Sequence, residues 1–320
     1  MKGLAVLVVV MLAVGAVGFV VYMPYGPRSE TFVDIPAGTG TAGMAQELKQ
    51  LGIIRSKVAF EVLRVWRGGS LKAGEYRFDH PAKLTEVYAR IARGDVYTKT
   101  VVIPEGFNIF DVAQAVAAQG LSTPEDFLAA ERANVALIAR WSPGAESLEG
   151  YLFPDTYKFS RHATAANMVA TMVKRFGQQM LKLEMADADV ERTVTMASLI
   201  EKEVHVDAER PVVAGVFENR LAAGMPLQTD PAVVYASMLR GTWTGVIHQS
   251  ELKSDSAYNT YAHSGLPPGP ICNPGMAALR AALHPAKTDY LYFVAQADGS
   301  TKFSRTLEEH NANVAEYRSR

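Results

Sequence analysis

Glu201 and Glu203 close the run Ala197-Ser198-Leu199-Ile200-Glu201-Lys202-Glu203, in which small and apolar side chains lead into two acids. A carboxyl group beside apolar neighbours is desolvated, which raises its pKa and lets it act as a general acid near neutral pH. On a helix Glu201 shares a face with Val194, Ala197 and Ser198, and Glu203 shares one with Met196, Leu199 and Ile200. Residues two apart on a helix point about 200° from each other, so only one of the acids can face a given bond. Periodicity alone does not choose between them. Two further stretches offer polar contacts. Met225-Pro226-Leu227-Gln228-Thr229-Asp230-Pro231 supplies an amide and a carboxyl at Gln228 and Asp230. Tyr258-Asn259-Thr260-Tyr261 runs into a segment dense in Gly and Pro, Ser264 to Pro274. Amide, hydroxyl and aromatic groups together suit a sugar-binding cleft, with hydrogen bonds to hydroxyls and rings against C–H faces. The aromatics of Ser147 to Tyr157 fit a core better than a ligand contact.

Other chemistries lack their residues. The histidines are scattered, with none in a His-Glu-x-x-His spacing, and His205 and Glu209 stand at i,i+4. Cys272 is the one cysteine, so a disulfide framework and a four-thiolate zinc site are excluded. No phosphate loop, nucleophile elbow or dinucleotide fingerprint occurs. No metal and no cofactor is expected. Lys+Arg 32 against Asp+Glu 33 gives a net charge of −1, so bulk charge predicts no nucleic-acid partner.

The elements that must position these residues follow from periodicity. Helices are expected at Ala165–Leu183, Asp187–Glu203 and Glu209–Ala222. A hairpin is expected at Tyr290–Ala295 and Thr301–Ser304 around Asp298-Gly299, with a helix from Leu307. Nearer the N-terminus, Phe32-Val33-Asp34-Ile35-Pro36-Ala37-Gly38 is echoed 68 residues later by Thr100-Val101-Val102-Ile103-Pro104-Glu105-Gly106. Each copy reads as a strand, a Pro-x-Gly turn and an amphipathic helix. Between them Lys72 to Phe78 reads as a strand and Leu84 to Arg93 as a helix. Leu4 to Met23 is an uncharged run long enough, at about 1.5 Å per residue, to cross a bilayer. Phe19 to Met23 makes a poor signal-cleavage site, so an uncleaved anchor is expected. With Lys2 before the run, the N-terminus belongs inside and the rest beyond the membrane. The full chain has 48% hydrophobic and 20% charged residues, an ordinary globular usage.

The ordered set Ser147–Tyr157, Ala197–Glu203, Val216–Leu221 with Gly224–Pro231, Tyr258–Pro274 and His284–Val294 resembles the MltG (YceG-like) family of endolytic murein transglycosylases. The resemblance covers nearly the whole chain. It implies an α+β protein: a transmembrane helix at 1–23, a linker at 24–30, an N-terminal α+β module at 31–98, a LysM-like β-α module at 99–140 and a mixed α+β catalytic domain at 141–320. It selects Glu201 as the catalytic acid and Gln228, Asp230, Tyr258 and Asn259 as substrate-binding candidates, to which Tyr261 of the same polar stretch is added. The small side chains of Ala197 and Ser198 would leave room for a sugar beside Glu201, and Glu203 would pack or pair within the domain. The implied reaction cuts the bond between N-acetylmuramic acid and N-acetylglucosamine, leaves 1,6-anhydro ends and needs no metal. The implied place is the inner membrane, by one helix, with the catalytic domain in the periplasm, peptidoglycan strands as partner and cell-wall synthases as possible neighbours. A non-catalytic peptidoglycan-binding scaffold and a metal-dependent cell-wall amidase stand as the alternatives.

Overall fold

The computed structural model describes residues 2–318 apart from His205, Ala297 and Asp298. The expected His205–Glu209 pair and the Asp298 turn position therefore lie outside the described residues. Two compact units divide the chain, Met1–Lys99 and Thr100–Arg320.

The first unit holds α1 (Lys2–Tyr22), β1 (Thr31–Ile35), α2 (Thr41–Gln50), α3 (Lys57–Arg67), β2 (Gly74–Phe78) and α4 (Leu84–Arg93). β1 and β2 pair antiparallel, Thr31 opposite Phe78 and Ile35 opposite Gly74. Alternation along β1 sends Val33 and Ile35 inward, where they join Leu48, Phe60, Tyr76 and Ile91 in one core. The Ser56 side chain caps α3 by accepting from the Ala59 N–H, and Gly94 ends α4 in the left-handed conformation. α1 is uncharged after Lys2 and none of its residues is buried; by length and composition it is able to cross a membrane. The segment expected as a linker, 24–30, is held at Tyr25, which exchanges backbone hydrogen bonds of 2.9 and 3.0 Å with Ala82.

The second unit opens with β3 (Lys99–Ile103), α5 (Ile109–Ala118), α6 (Pro124–Ala133) and β4 (Asp155–Phe159). It continues with α7 (Ala165–Leu183), α8 (Val190–Glu203), α9 (Arg210–Ala222), α10 (Asp230–Leu239), α11 (Gln249–Leu252) and α12 (Met276–Leu283), and ends with β5 (Tyr292–Ala295), β6 (Thr301–Ser304) and α13 (Leu307–Arg318). β3 pairs with β4, and β5 with β6. The repeat survives folding: β1 and β3, like α2 and α5, begin and end 68 residues apart, and both copies run strand, helix, helix, strand. The copies differ in what they pack against. Val101, Ile103, Val112 and Phe127 share a single core with Tyr151, Met172, Phe176 and the buried face of α8. The segment 99–140, expected as a module of its own, is thus continuous with the residues beyond 141.

α8 is the axis of this unit. From Thr193 to Glu201 every residue is buried, and the helix packs against α9, α10 and α12. α9 in turn lies close to the chain before β5. A Cβ on Gly215 would sit 2.3 Å from the Ala286 carbonyl oxygen, so only glycine permits this approach. The Asn219 amide donates to the carbonyls of Thr288 (2.8 Å) and Tyr290 (2.9 Å), which fixes the entry into β5.

Candidate active site

The C-terminal turn of α8 sends its two acids in different directions. Glu201 points into the protein. One carboxylate oxygen lies 3.0 Å from Arg210 Nη2, with both side chains about 6% exposed. The other accepts from the Gly275 N–H at 2.9 Å, at the first turn of α12. Glu105, in the Pro-x-Gly turn after β3, reaches the same helix end, where burial and the nearby Glu201 carboxylate push its own pKa up. A Cβ on Gly275 would meet the Glu105 carboxyl, so any larger residue here would push that side chain aside. The space expected beside Glu201 is filled. Ala197 and Ser198 are fully buried, and the Ser198 hydroxyl accepts from the Ile271 N–H at 3.0 Å. Their small size admits the chain before α12 and leaves no room for a sugar. Glu201 therefore lies in an internal ion pair and helix cap, which corrects the expected disposition of the two acids.

Glu203 instead lines a cavity of about 250 Å³ with Arg220, Leu227, Gln228, Thr229, Asp230, Tyr261, Phe293 and His310. Burial, reinforced by the Asp230 carboxylate and opposed by Arg220, pushes the Glu203 carboxyl up to about 7. The cavity wall is built from the two polar stretches, stitched together by their backbones. The Gln228 N–H donates to the Thr260 carbonyl (3.0 Å), and the Thr229 N–H donates to the Thr260 hydroxyl (2.9 Å). Gln228 has φ 55, a left-handed conformation rare for a residue with a side chain and common where function over-determines the backbone. Asp230 opens α10, and the Tyr261 hydroxyl donates to it at 2.7 Å. The Arg220 guanidinium is committed to the carbonyls of Leu291 (2.7 Å) and Leu227 (2.8 Å) and lies over the Tyr292 ring. His310 stacks on Tyr292, its Nδ1 has no hydrogen-bond partner, and burial lowers its pKa.

Three of the expected binding residues, Gln228, Asp230 and Tyr261, thus converge, and they do so around Glu203. The other two do not join them. Asn259 is fully buried, and its amide donates to the carbonyls of Leu252 (3.1 Å) and Ser254 (2.7 Å), which braces the loop after α11. Tyr258 lines a second cavity of about 530 Å³ with Glu131, Glu149, Tyr151, Tyr235 and Pro270. There burial pushes the Glu149 carboxyl up to about 8, against hydrogen bonds from the Ile109 N–H (2.9 Å) and Tyr235. Arg220, Phe293 and His310 were not singled out from sequence. They reach the cavity from α9, β5 and α13; helical or strand spacing does not mark them, although Arg220 and Phe293 fall within the segments Val216–Leu221 and His284–Val294 that carry the resemblance. Among the described residues no group of three or more His, Cys, Asp or Glu could hold a metal ion.

A helical α+β unit that presents a raised-pKa carboxyl in a cavity, with a second carboxylate and polar side chains around it, belongs to the class of scaffolds suited to acid–base chemistry on a polar substrate. Comparison with known proteins narrows that class. The chain belongs to the YceG-like family, which it matches over residues 33–316. It is 35% identical over 305 residues to an endolytic murein transglycosylase of Bacillus subtilis, covering 89% of this chain and 84% of that one. It is 29% identical over 330 residues to an endolytic murein transglycosylase of Streptococcus pneumoniae, covering 92% of this chain and 60% of that one. A crystal structure of a YceG-like protein from Listeria monocytogenes superposes with a TM-score of 0.60 at 34% identity, covering 90% of this chain and all of that one.

Proposed function

We propose that this protein is an endolytic lytic transglycosylase of peptidoglycan and that Glu203, not Glu201, is its acid and base. The observation that carries this is the Glu203 carboxyl, raised to about 7 in a cavity walled by Gln228, Asp230 and Tyr261. A carboxyl of that kind is protonated at the onset of reaction and a competent base after it. Protonated Glu203 donates to the glycosidic oxygen between N-acetylmuramic acid and N-acetylglucosamine, and that C–O bond breaks. An oxocarbenium-like muramyl centre forms. The Glu203 carboxylate then takes the proton of the sugar's own C6 hydroxyl as its oxygen bonds to C1, which closes the 1,6-anhydro ring and returns the proton to Glu203. The nucleophile is intramolecular, so its effective molarity far exceeds that of a bimolecular partner. Asp230, beside the developing positive charge, stabilises it and is itself held by the Tyr261 hydroxyl.

The remaining expectations belong to the same reading. The two strand-helix-helix-strand copies act as LysM-like glycan-holding modules. α1 anchors the chain in the inner membrane with its N-terminus cytoplasmic and the catalytic unit periplasmic, near cell-wall synthases, where cleavage of nascent strands ends their elongation. Asp230 also supports a second reading, hydrolysis by a pair of carboxyl groups. Mass spectrometry of glycan digested by the purified protein tests both. Anhydro-ended fragments from the parent protein and Glu201→Gln, with none from folded Glu203→Gln, are the expected result. Fragments one water heavier would favour hydrolysis, and anhydro ends from Glu203→Gln would remove Glu203 from its role.

A further inference from the structure

α3 has two apolar faces. Ala59, Phe60 and Leu63 turn toward the core of the first unit. Val58, Val62, Val65 and Trp66 recur at i, i+4, i+7 and i+8 on another face, and they are exposed, Val65 by 86% and Trp66 by 73%. Val58, Val62 and Trp66 of this stripe, with Ala59 and Leu63 beside them, form one wall of an apolar groove of about 500 Å³. The other wall is Ala16, Val17, Val20, Val21 and Tyr22 of α1. Arg55, just before α3, fixes the two helices to each other. It donates to the carbonyls of Phe19 (3.2 Å), Met23 (3.1 Å) and Pro24 (3.2 Å), and its guanidinium lies 4.4 Å from the Phe19 ring centroid. Lys57, Arg64 and Arg67 stand along the same helix, and the Arg67 guanidinium lies over the Trp66 ring.

The depth of the groove follows from α1. Its 21 residues, at about 1.5 Å each, match the hydrocarbon thickness of a bilayer, so its Tyr22 end reaches the headgroup level. Ala16 to Val21 then lie within the leaflet at that end, and the stripe that shares their groove lies at the same depth. A basic amphipathic helix with tryptophan on its apolar side suits this boundary, because the ring takes the interface while lysine and arginine reach the phosphates. We propose that α3 is an interfacial membrane helix: Val58, Val62, Val65 and Trp66 enter the leaflet in which α1 ends, and lipid acyl chains fill the groove between the two helices. The proposal rests on reading α1 as a bilayer span.

Trp66 reports on its own burial. The full chain, reconstituted in phosphatidylethanolamine–phosphatidylglycerol vesicles, carries three tryptophans, and Trp66→Phe supplies the emission of Trp141 and Trp243 for subtraction. Lipids brominated on the acyl chain should quench the Trp66 component at every protein density, and the component should be blue-shifted. Val62→Asp combined with Val65→Asp should shift it to the red and abolish the quenching while the protein stays in the membrane. An unquenched Trp66 in protein that resists an alkaline wash would overturn the interfacial helix and leave the anchor standing. Protein released by the wash would overturn both. Shielding from bromine that grows with protein density would give the stripe to a second copy of the chain and overturn the proposal equally.

Discussion

At the scale of single residues the two acids of α8 separate by what replaces their water. Glu203→Gln keeps size and hydrogen bonding but removes the transferable proton, and loss of a general acid–base group typically costs about 10²–10⁴-fold in rate. Because one group serves both steps, initial-rate assays should show a loss at the upper end of that span. The parent activity should fall as pH rises through about 7, where Glu203 loses its proton. Stability moves the other way in the variant. The folded state keeps the Glu203 proton to about 7 whereas the ordinary value is 4.5, so ionisation of this group lowers stability between those pH values and the loss is complete above them. Glu203→Gln should therefore melt higher than the parent above pH 7, by roughly 3 kcal/mol at most, and calorimetry at pH 5 and pH 8 reads the difference. Glu201→Ala leaves the buried Arg210 with the exposed Asp207 as its remaining ion-pair partner, so the loss should stay below the roughly 3–5 kcal/mol of a fully broken buried pair and be visible as an early urea midpoint. The sequence located this pair of acids but could not rank them. Ranking needed Arg210 and Gly275, nine and seventy-four residues away from Glu201, and those contacts leave no trace in helical spacing.

At the scale of elements, local pattern was a good guide wherever one helix or strand explained itself. Leu84–Arg93 and Ala165–Leu183 carry an apolar stripe and a cap, and they fold with the bounds their periodicity gives. The start expected at Asp187 shifts to Val190 because a 3-10 turn over Asp187–Asp189 precedes α8. Contacts between elements were the illegible part. The approach of α9 to the chain before β5 depends on Gly215, whose role is invisible until Ala286 is seen beside it. Gly215→Ala should destabilise the protein by about 1–3 kcal/mol, the usual cost of overpacking, since the obstacle is backbone and cannot rotate away. It should also displace Phe293 from the cavity wall, so a thermal melt and an activity assay should fall together.

At the scale of the whole molecule the boundary that matters lies near Lys99, not near 140. A fragment of residues 100–320 keeps β3 on β4 and the core shared by Val101, Val112 and Phe127 with α7 and α8. A fragment of 141–320 loses that strand and bares those core partners. Far-UV circular dichroism should show a cooperative melt for the first and a non-cooperative or aggregating species for the second. The repeat made 99–140 look like a free-standing copy because its local pattern equals that of 31–50. What the pattern omits is the partner strand, which the first copy finds at Gly74–Phe78 and the second only at Asp155–Phe159, beyond a longer loop.

The Arg55 clasp also removes slack. Seven free residues between a membrane helix and a folded unit would let the unit wander by roughly 15 Å, on the scaling of a flexible chain. Here Met23, Pro24 and Tyr25 are fastened to Arg55 and Ala82 instead, so the first unit inherits the tilt and rotation of α1 as a flag inherits those of its pole. Were α1 to span a bilayer, orientation toward it would be set once, at insertion, with no search afterwards.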